Sequence, residues 1–296
     1  MANLRDVRLR MRAITQTLQV TRAMNLISTA KLRKGRRLLE DTEPYFTRIQ
    51  KSMFDIVSGA HSVRSNFFGK LVPSEPSRTA VVVITSDKGL AGGYNANIFR
   101  LANDLCQRVK NPILILIGAI GYRYFVHSPY VILENFSFRS QVPTVENARE
   151  IAEYIVSQYS WGMVDEVHVV YTHMFSTIKL LPLEQQILPL SKERIQSELS
   201  NIGGEKRVEL QFEFLPSVET VFDALVTLYV KGIIYGSMVQ AYVSEQSARM
   251  AAMDEASKSA EDMLAGLQIS YNRARQAGIT QEMSEIVGGS AALADK

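Results

Sequence analysis

The beginning of the chain carries apolar side chains at alternating steps of three and four residues. The apolar positions are Leu4, Val7, Met11, Ile14, Leu18, Leu32 and Leu39 before Pro44, and Ile49, Met53, Ile56 and Val57 after it. Between Leu18 and Leu32 the same spacing continues through the small or polar Thr21, Asn25 and Ser28. A heptad seam of this kind winds one helix onto another. The pattern predicts an N-terminal coiled-coil helix over residues 1–60, interrupted at Pro44.

The end of the chain repeats this spacing without a proline. The apolar positions after Val218 are Val221, Leu225, Leu228, Tyr235, Val239, Tyr242, Met253, Ala260, Met263 and Leu267. Two heptad-patterned arms at opposite ends of one chain predict a long antiparallel coiled coil, with residues 215–296 as its C-terminal helix. The alternative is a bundle of shorter helices, with breaks at Gly232, Gly236, Gly266 and Gly278.

The middle of the chain, residues 75–214, changes period. Apolar, β-branched runs of strand length occur at 79–86, 112–117 and 164–174, with helix-like stretches near 94–109 and 144–159 between them. Buried strands that alternate with helices indicate a parallel sheet covered on both faces. We therefore predict a Rossmann-like α/β domain inserted between the arms. Residues 178–189 and 207–214 predict an antiparallel addition to the sheet, with a turn at Gly203-Gly204.

Composition narrows the class of protein. The 296 residues are 46% apolar and 21% charged, which is ordinary for a folded chain. The lone Cys106 excludes a disulfide framework and an all-cysteine zinc site. The longest apolar run, Ile113 to Tyr122, is half the length of a membrane-spanning helix and is interpreted as a buried strand and the turn after it. Met1 to Arg12 lacks the apolar core of a signal peptide, so we expect a mature cytosolic start.

Charge is unevenly distributed along the chain. Residues 1–37 contain ten basic residues and one acid, and the remainder has an excess of acids. The bases from Lys31 to Arg37 lie at many angles around a helix and lack interleaved aromatic residues. A solvated basic helix, or a basic collar that faces an acidic protein, therefore fits better than a nucleic-acid site. Salt-dependent DNA binding by residues 1–60 would favour the nucleic-acid hypothesis.

One glycine-rich segment is a candidate for ligand binding. Residues 86–95 lie between a predicted strand and a predicted helix, where α/β proteins often hold phosphate. The segment is neither a P-loop nor a Gly-x-Gly-x-x-Gly turn, and a tight turn that needs backbone freedom at Gly92 and Gly93 explains it equally. A phosphate- or nucleotide-binding α/β enzyme is the alternative function. His168 and His173 are five apart in a predicted strand and point to opposite faces, which is poor metal geometry.

Four segments together resemble the gamma subunit of F-type ATP synthases. They are Thr15–Lys34, Ser86–Asn95, Ser244–Met253 and Tyr271–Leu293. The resemblance implies a non-catalytic rotor of the central stalk, whose coiled coil stands inside a ring of alternating alpha and beta subunits. The α/β domain would lie near the epsilon subunit and the membrane c-ring. The chain would bind no cofactor, metal or nucleic acid, because Mg-ATP and Mg-ADP bind to the partner subunits.

The same resemblance implies which residues contact partners. Loops of the catalytic subunits are expected to meet Arg249, Arg275, Gln276, Thr280 and Glu282. An acidic loop of those subunits is expected to face a collar that comprises Met24, Lys31, Arg33, Lys34, Arg36 and Arg37. The uncharged tip, Ile286 to Ala294, suits insertion into a lined protein sleeve. A single cysteine argues against the plastid branch, which carries paired cysteines, so we expect a peripheral protein on the cytoplasmic face of a bacterial plasma membrane.

Overall fold

The computed structural model describes residues 4–59, 65–69, 77–137, 142–191, 215 and 217–294. The chain divides into two compact units. The first, which we call the helical unit, comprises Met1–Thr29 and Arg249–Lys296, and the second, the α/β unit, comprises Ala30–Ala248. Both ends of the chain therefore contribute helix to both units.

Each arm is one uninterrupted helix. Helix α1 spans Leu4–Gly59 and helix α5 spans Val218–Ala294. The alternative of several short helices at each end is therefore wrong. The four glycines considered as breaks all lie inside α5, and an added Cβ would meet nothing within 4 Å at Gly266 or Gly278. The helix therefore remains continuous at all four glycines.

The predicted interruption at Pro44 does not occur, because α1 continues through this residue. Proline has no N–H, so the carbonyl four residues earlier loses its donor. That carbonyl belongs to the exposed Glu40, where water can replace the donor. The hydroxyl of Thr42 also donates to the carbonyls of Leu38 and Leu39. The last turns before the proline thus keep their polar groups satisfied.

The helical unit pairs α1 and α5 in antiparallel fashion along the predicted seam. Arg8 near the start of α1 contacts Tyr271, and Arg22, further along the same helix, forms an ion pair with Glu261 at 2.6 Å, so the partner on α5 lies earlier in the chain as α1 advances. The buried seam residues are Val7, Leu18, Thr21 and Ser28 on α1, and Met253, Ser257 and Ala260 on α5. Met263 was expected in the seam but is exposed, because the half-buried Leu264 takes that position.

The α/β unit contains a five-stranded sheet in the order β3-β2-β1-β4-β5. Strands β1 to β4 are parallel, and β5 runs antiparallel to β4. The strand bounds are Thr79–Ile84, Pro112–Ile117, Val131–Phe136, Glu166–Met174 and Leu180–Leu188. The helices between them are α2 (Tyr94–Arg108), α3 (Ala119–Phe125) and α4 (Val145–Ser160), and a 3₁₀ turn spans Asn66–Phe68. The predicted strand at 207–214 lies outside the described residues.

The sheet is covered on both faces, as predicted. Every residue of β1 is buried. Val81 and Val83 pack in one cluster with Ile98 and Leu105 of α2, while Val82, on the opposite face, is equally inaccessible.

On the part of α5 that belongs to the α/β unit, Leu228 was predicted in the seam but is 38% exposed.

Two short elements escaped prediction. The segment interpreted as the turn after β2 begins helix α3 at Ala119, and Val131–Phe136 forms the edge strand β3. Gly118 joins β2 to α3 with φ 101°, and a Cβ there would lie 2.4 Å from the carbonyl oxygen of Thr85. Only glycine fits this close approach.

Helix α5 also meets the length and composition test for a membrane-spanning helix, although the sequence led us to expect no such segment. Half of its most apolar 18-residue window is buried within the protein. The buried core helix of a soluble protein satisfies the same test. Burial against the protein itself therefore explains the apolar character of this window.

Candidate partner-contact surfaces

The basic collar lies on the part of α1 that belongs to the α/β unit. Arg33, Lys34, Arg36 and Arg37 are exposed and Lys31 is half-buried. The helix places its bases outward because Leu32 and Gly35, three residues apart, occupy the side that faces α5. The structure thus brings the five basic residues of the predicted collar onto one stretch of helix, whereas Met24 belongs to the helical unit.

Gly35 marks a close approach of α1 and α5 at the collar. A Cβ at this position would lie 2.7 Å from Cγ2 of Val243 and 3.1 Å from the ring of Tyr242. Both neighbours are buried, so neither can move aside freely. The absence of a side chain at Gly35 lets the two helices pack closely behind the exposed bases.

A β-hairpin, β4–β5, is fastened to both helices beside the collar. The Arg36 guanidinium donates to Oγ1 of Thr177 at 2.7 Å, and the Ser247 hydroxyl donates to the Thr177 carbonyl at 2.9 Å. Further along β4, Ser244 donates to the carbonyl of Thr172 at 3.0 Å. Sequence reasoning missed this arrangement, because it depends on contacts between residues about 70 and 141 positions apart in the chain.

The predicted C-terminal contact residues lie on an exposed part of α5 in the helical unit. Arg275, Gln276, Thr280 and Glu282 are all exposed. The Thr280 hydroxyl donates to the carbonyl of Gln276 at 3.0 Å, which keeps it on its own helix. Exposure continues over every described side chain from Arg275 to Val287, so this stretch of the helix has no cover within the unit.

The remaining two predicted contacts are less accessible. Arg249 is only 6% exposed and Met24 is half-buried. Nearby, the side-chain amide of Asn25 donates to the carbonyl of Met250 at 3.2 Å. The structure therefore separates the predicted set into exposed residues and residues packed within the helical unit.

A groove in the helical unit is lined by Arg8, Arg12 and Tyr271 together with polar residues of α1. The Arg8 guanidinium donates to the Tyr271 hydroxyl at 2.9 Å and lies over its ring. The pKa of Tyr271 is lowered below its ordinary value, first by this hydrogen bond and then by the charge of Arg8. The charge of Arg275 makes a smaller contribution in the same direction. The groove is basic in character and open to solvent.

The glycine-rich turn is occupied by its own hydrogen bonds. Asn95 donates to Oγ of Ser86 at 2.8 Å and accepts from the Ser86 N–H at 3.2 Å. Asp87 accepts from the N–H of Ala119 at 2.9 Å, and Leu90 and Gly92 adopt positive φ. The side chains of Ser86, Asp87 and Asn95 are thus engaged within the segment or with the start of α3, which supports its interpretation as a structural connection.

The two histidines of β4, His168 and His173, lie against other side chains of the α/β unit. His168 lies 3.2 Å from Glu184, which also pairs with Arg108 of α2. Burial lowers the pKa of His173, whose ring packs against Phe175. Within the described ranges, no group of three or more His, Cys, Asp or Glu side chains could hold a metal ion.

Comparison with known proteins identifies the family. A family model described as ATP synthase matches residues 3–293. The ATP synthase gamma chain of Ruminiclostridium cellulolyticum is 42% identical over 292 residues, which cover 98% of this chain and 99% of that protein.

Solved structures share the fold at lower identity. A chain of the Euglena gracilis mitochondrial ATP synthase matches with a TM-score of 0.68 and 17% identity, covering 98% of this chain and 94% of that one. A chain from the central stalk and c-ring structure of the Tetrahymena thermophila mitochondrial ATP synthase matches with a TM-score of 0.58 and 21% identity, covering 80% and 99%.

Proposed function

This chain belongs to the ATP synthase family as a gamma chain of the central stalk, and from that premise we propose how it works. It acts as a rotor shaft that transmits ion-driven rotation of a membrane ring to the catalytic subunits. The chain performs no chemistry itself. An asymmetric shaft that turns against each catalytic site in sequence shifts that site between its binding states.

The observation that carries the proposal is the exposed C-terminal part of α5. Ile279, Met283, Ile286 and Val287 are all exposed in the helical unit. Contiguous exposed apolar side chains mark an interaction site. A sleeve formed by alpha and beta subunits would cover these side chains, and the absence of charge from Ile286 to Ala294 would let the helix turn within it.

The other partners follow from the same assembly. We propose that the α/β unit meets the epsilon subunit and the c-ring, and that the chain is held peripherally at the cytoplasmic face of the bacterial plasma membrane. Mg-ATP and Mg-ADP would bind to the alpha and beta subunits, so this chain needs no cofactor or metal of its own. The exposed collar bases would face an acidic loop of the catalytic subunits.

Rotation is the direct test. A Trp161→Cys variant places a label on an exposed site of the α/β unit. The assembled complex is fixed to a surface through its other subunits, a probe is attached at residue 161, and ATP is added. We expect the probe to turn continuously in one direction. A probe that stays fixed while the complex hydrolyses ATP would contradict the rotor function.

Nucleotide binding separates this function from the alternative enzyme. Isothermal titration of the isolated chain with Mg-ATP or Mg-ADP is expected to give no heat of binding. Binding that is lost on Asn95→Ala substitution would instead assign a nucleotide site to the 86–95 turn. Adenosine, which lacks phosphates, is the control ligand.

A further inference from the structure

Polar side chains of helix α5 bond to the backbone of strand β4. The side-chain carbonyl of Gln240 accepts from the N–H of Met174 at 3.2 Å, and the Ser244 hydroxyl donates to the carbonyl of Thr172 at 3.0 Å. Both strand residues belong to the part of β4 that is paired with β5. These bonds therefore join α5 to the hydrogen-bonded sheet itself and not to a connecting loop.

Two further hydrogen bonds reach the same stretch of α5. The Ser247 hydroxyl donates to the carbonyl of Thr177 in the β4–β5 turn at 2.9 Å, and the Tyr94 hydroxyl, at the start of α2, donates to the carbonyl of Ala241 at 3.1 Å. The three α5 side chains that make these contacts follow a spacing of four and three residues, which places them on one side of the helix. We call the four contacts the α5 lock and define it by Tyr94, Gln240, Ser244 and Ser247.

The bonds of the α5 lock restrain rotation of α5 about its own axis. Apolar contacts are non-directional, whereas a hydrogen bond weakens steeply once its length or angle changes. A polar atom on the helix surface lies about 5 Å from the helix axis, so a turn of about 30° displaces it by roughly 3 Å and breaks the bond. Ser244 and Ser247 are 0% and 1% exposed, so water has little access to replace the lost partner.

The side of α5 that faces α1 is built differently. Where the two helices come close at Gly35, α5 presents Cγ2 of Val243 and the ring of Tyr242. Aliphatic and aromatic atoms attract one another through many weak contacts, and no single contact demands one angle. The apolar side of α5 therefore holds the helix close to α1, whereas the polar side sets its rotational angle against the sheet.

We propose that the α5 lock transmits torque between the sheet of the α/β unit and helix α5. Load applied to the sheet then reaches the helix without slip, and the two turn by the same angle. Hydrogen-bond networks between rigid elements carry energetic coupling of this kind. The inference rests on the proposed function, because rotation of the chain supplies the load. The members of the lock are positioning residues, since they fix the angle at which α5 meets the sheet.

Single complexes with a stationary rotor test the proposal. The assembled complex is fixed to a surface through its other subunits in the absence of nucleotide, and the angular fluctuation of a probe on the chain is recorded. The sheet probe is attached through Trp161→Cys, at the end of α4, and the helix probe through Ala224→Cys, on α5; both positions are exposed. The native Cys106 is buried, and burial raises the pKa of its thiol to about 11, so it should stay unlabelled.

The test variant combines Ser244→Ala with Ser247→Ala. The matched control combines Ser237→Ala with Ser257→Ala, two buried serines of α5 for which the described part of the chain shows no hydrogen bond to the sheet. We expect the angular variance of the sheet probe to rise roughly twofold in the test variant, because directional restraints are lost, and that of the helix probe to stay the same. No change at the sheet probe, equal broadening at both probes, or equal broadening in the control would overturn the proposal.

A matched pair of variants at Gln240 separates torque transmission from stability of the fold. Gln240→Glu keeps an acceptor for the Met174 N–H, whereas Gln240→Leu removes it at similar size. We expect Gln240→Leu to reduce ion-driven ATP synthesis while ATP hydrolysis per assembled complex is preserved, and Gln240→Glu to retain both activities. Equal losses in the two variants, or parallel falls in synthesis and hydrolysis, would show that the lock only stabilises the fold and would overturn the proposal. A sheet probe that does not rotate with ATP when the lock is intact would instead contradict the proposed function.

Discussion

The helical unit and the α/β unit differ in what their interiors are made of. Among the described residues of the helical unit, the buried side chains are four apolar and four polar: Val7, Leu18, Met253, Ala260, Thr21, Ser28, Arg249 and Ser257. The main core cluster of the α/β unit instead consists of side chains that are at most 5% exposed, and all of them except Cys106 are aliphatic or aromatic. The α/β unit therefore gains stability from apolar burial, whereas the helical unit depends more on hydrogen bonds that fix its register.

The difference suggests a division of roles. A unit with a continuous apolar core can stay folded without outside cover. A pair of helices with a half-polar seam and exposed apolar outer positions, such as Leu26 at 72% and Ile286 at 72%, gains further burial when a partner surrounds it. Four sets of variants test this contrast.

The largest loss of stability is expected from the sheet core. Phe125→Ala removes a fully buried ring and should lower the free energy of unfolding by about 3–5 kcal/mol. Met253→Ala, in the thinner seam of the helical unit, should cost less than about 2 kcal/mol because its surroundings can collapse. Urea unfolding followed by circular dichroism and by the single Trp161 gives both values. Equal losses would remove the contrast between the units.

Two glycines should respond with opposite sign. Gly35→Ala forces a Cβ to within 2.7 Å of Val243 and is expected to destabilise the α/β unit by about 1–2 kcal/mol, after the gain in helix propensity is subtracted. Gly266→Ala meets nothing within 4 Å and should stabilise α5 by up to about 1 kcal/mol. Thermal unfolding of the two variants makes the comparison. Stabilisation by Gly35→Ala would show that the helices can separate at the collar without cost.

The polar seam should show a modest coupling between two hydroxyls. The Ser257 hydroxyl donates to Oγ1 of Thr21 at 2.8 Å, and the Thr21 hydroxyl donates to the carbonyl of Leu18 on its own helix at 3.0 Å. A double-mutant cycle of Thr21→Val and Ser257→Ala is expected to give a coupling of about 0.5–1 kcal/mol. Thr21→Val paired with the exposed Ser270→Ala is the control and should give none.

The smallest effect on stability should accompany a large effect on function. Exchange of charge by Arg275→Glu with Glu282→Arg alters only exposed side chains, so the free energy of unfolding should change by less than about 0.5 kcal/mol. Coupled ATP synthesis by the complex is expected to fall clearly. Arg149→Glu with Glu153→Arg, an exposed pair in α4, is the matched control. If assembled complex and activity fall in proportion, the residues serve assembly and not coupling.

The long helices and the buried central strands were predictable from the sequence. The heptad seam identified the paired side of α1, and residues 112–117 coincide with β2 at both ends. The seam was predictable because burial on one face repeats at a fixed interval along the chain, and β2 because a continuous apolar run of strand length indicates a strand buried on both faces. Short elements were harder: α3 has seven residues, and β3 is a partly exposed edge strand without a continuous apolar run.

The candidate surfaces were predictable only in part. Composition located the bases of the collar, because charge can be counted along the chain. The hairpin beside them was not foreseen, since the contact of Arg36 with Thr177 depends on how the sheet packs against the helices. The resemblance implied that Arg249 meets a loop of the catalytic subunits, but the sequence did not indicate that this side chain is only 6% exposed.

The exposed C-terminal end of α5 should be a more stable helix in the assembled complex than in the isolated chain. Beyond Ala274 this helix has about 20 residues and three glycines, and each glycine costs about 1 kcal/mol of helix propensity. A solitary helix of this length and composition is marginal in water, because nothing offsets the cost of nucleation. Its amides should exchange rapidly with deuterium in the isolated chain and become protected once neighbours surround them. The surrounding subunits would then complete the fold of the element that turns inside them.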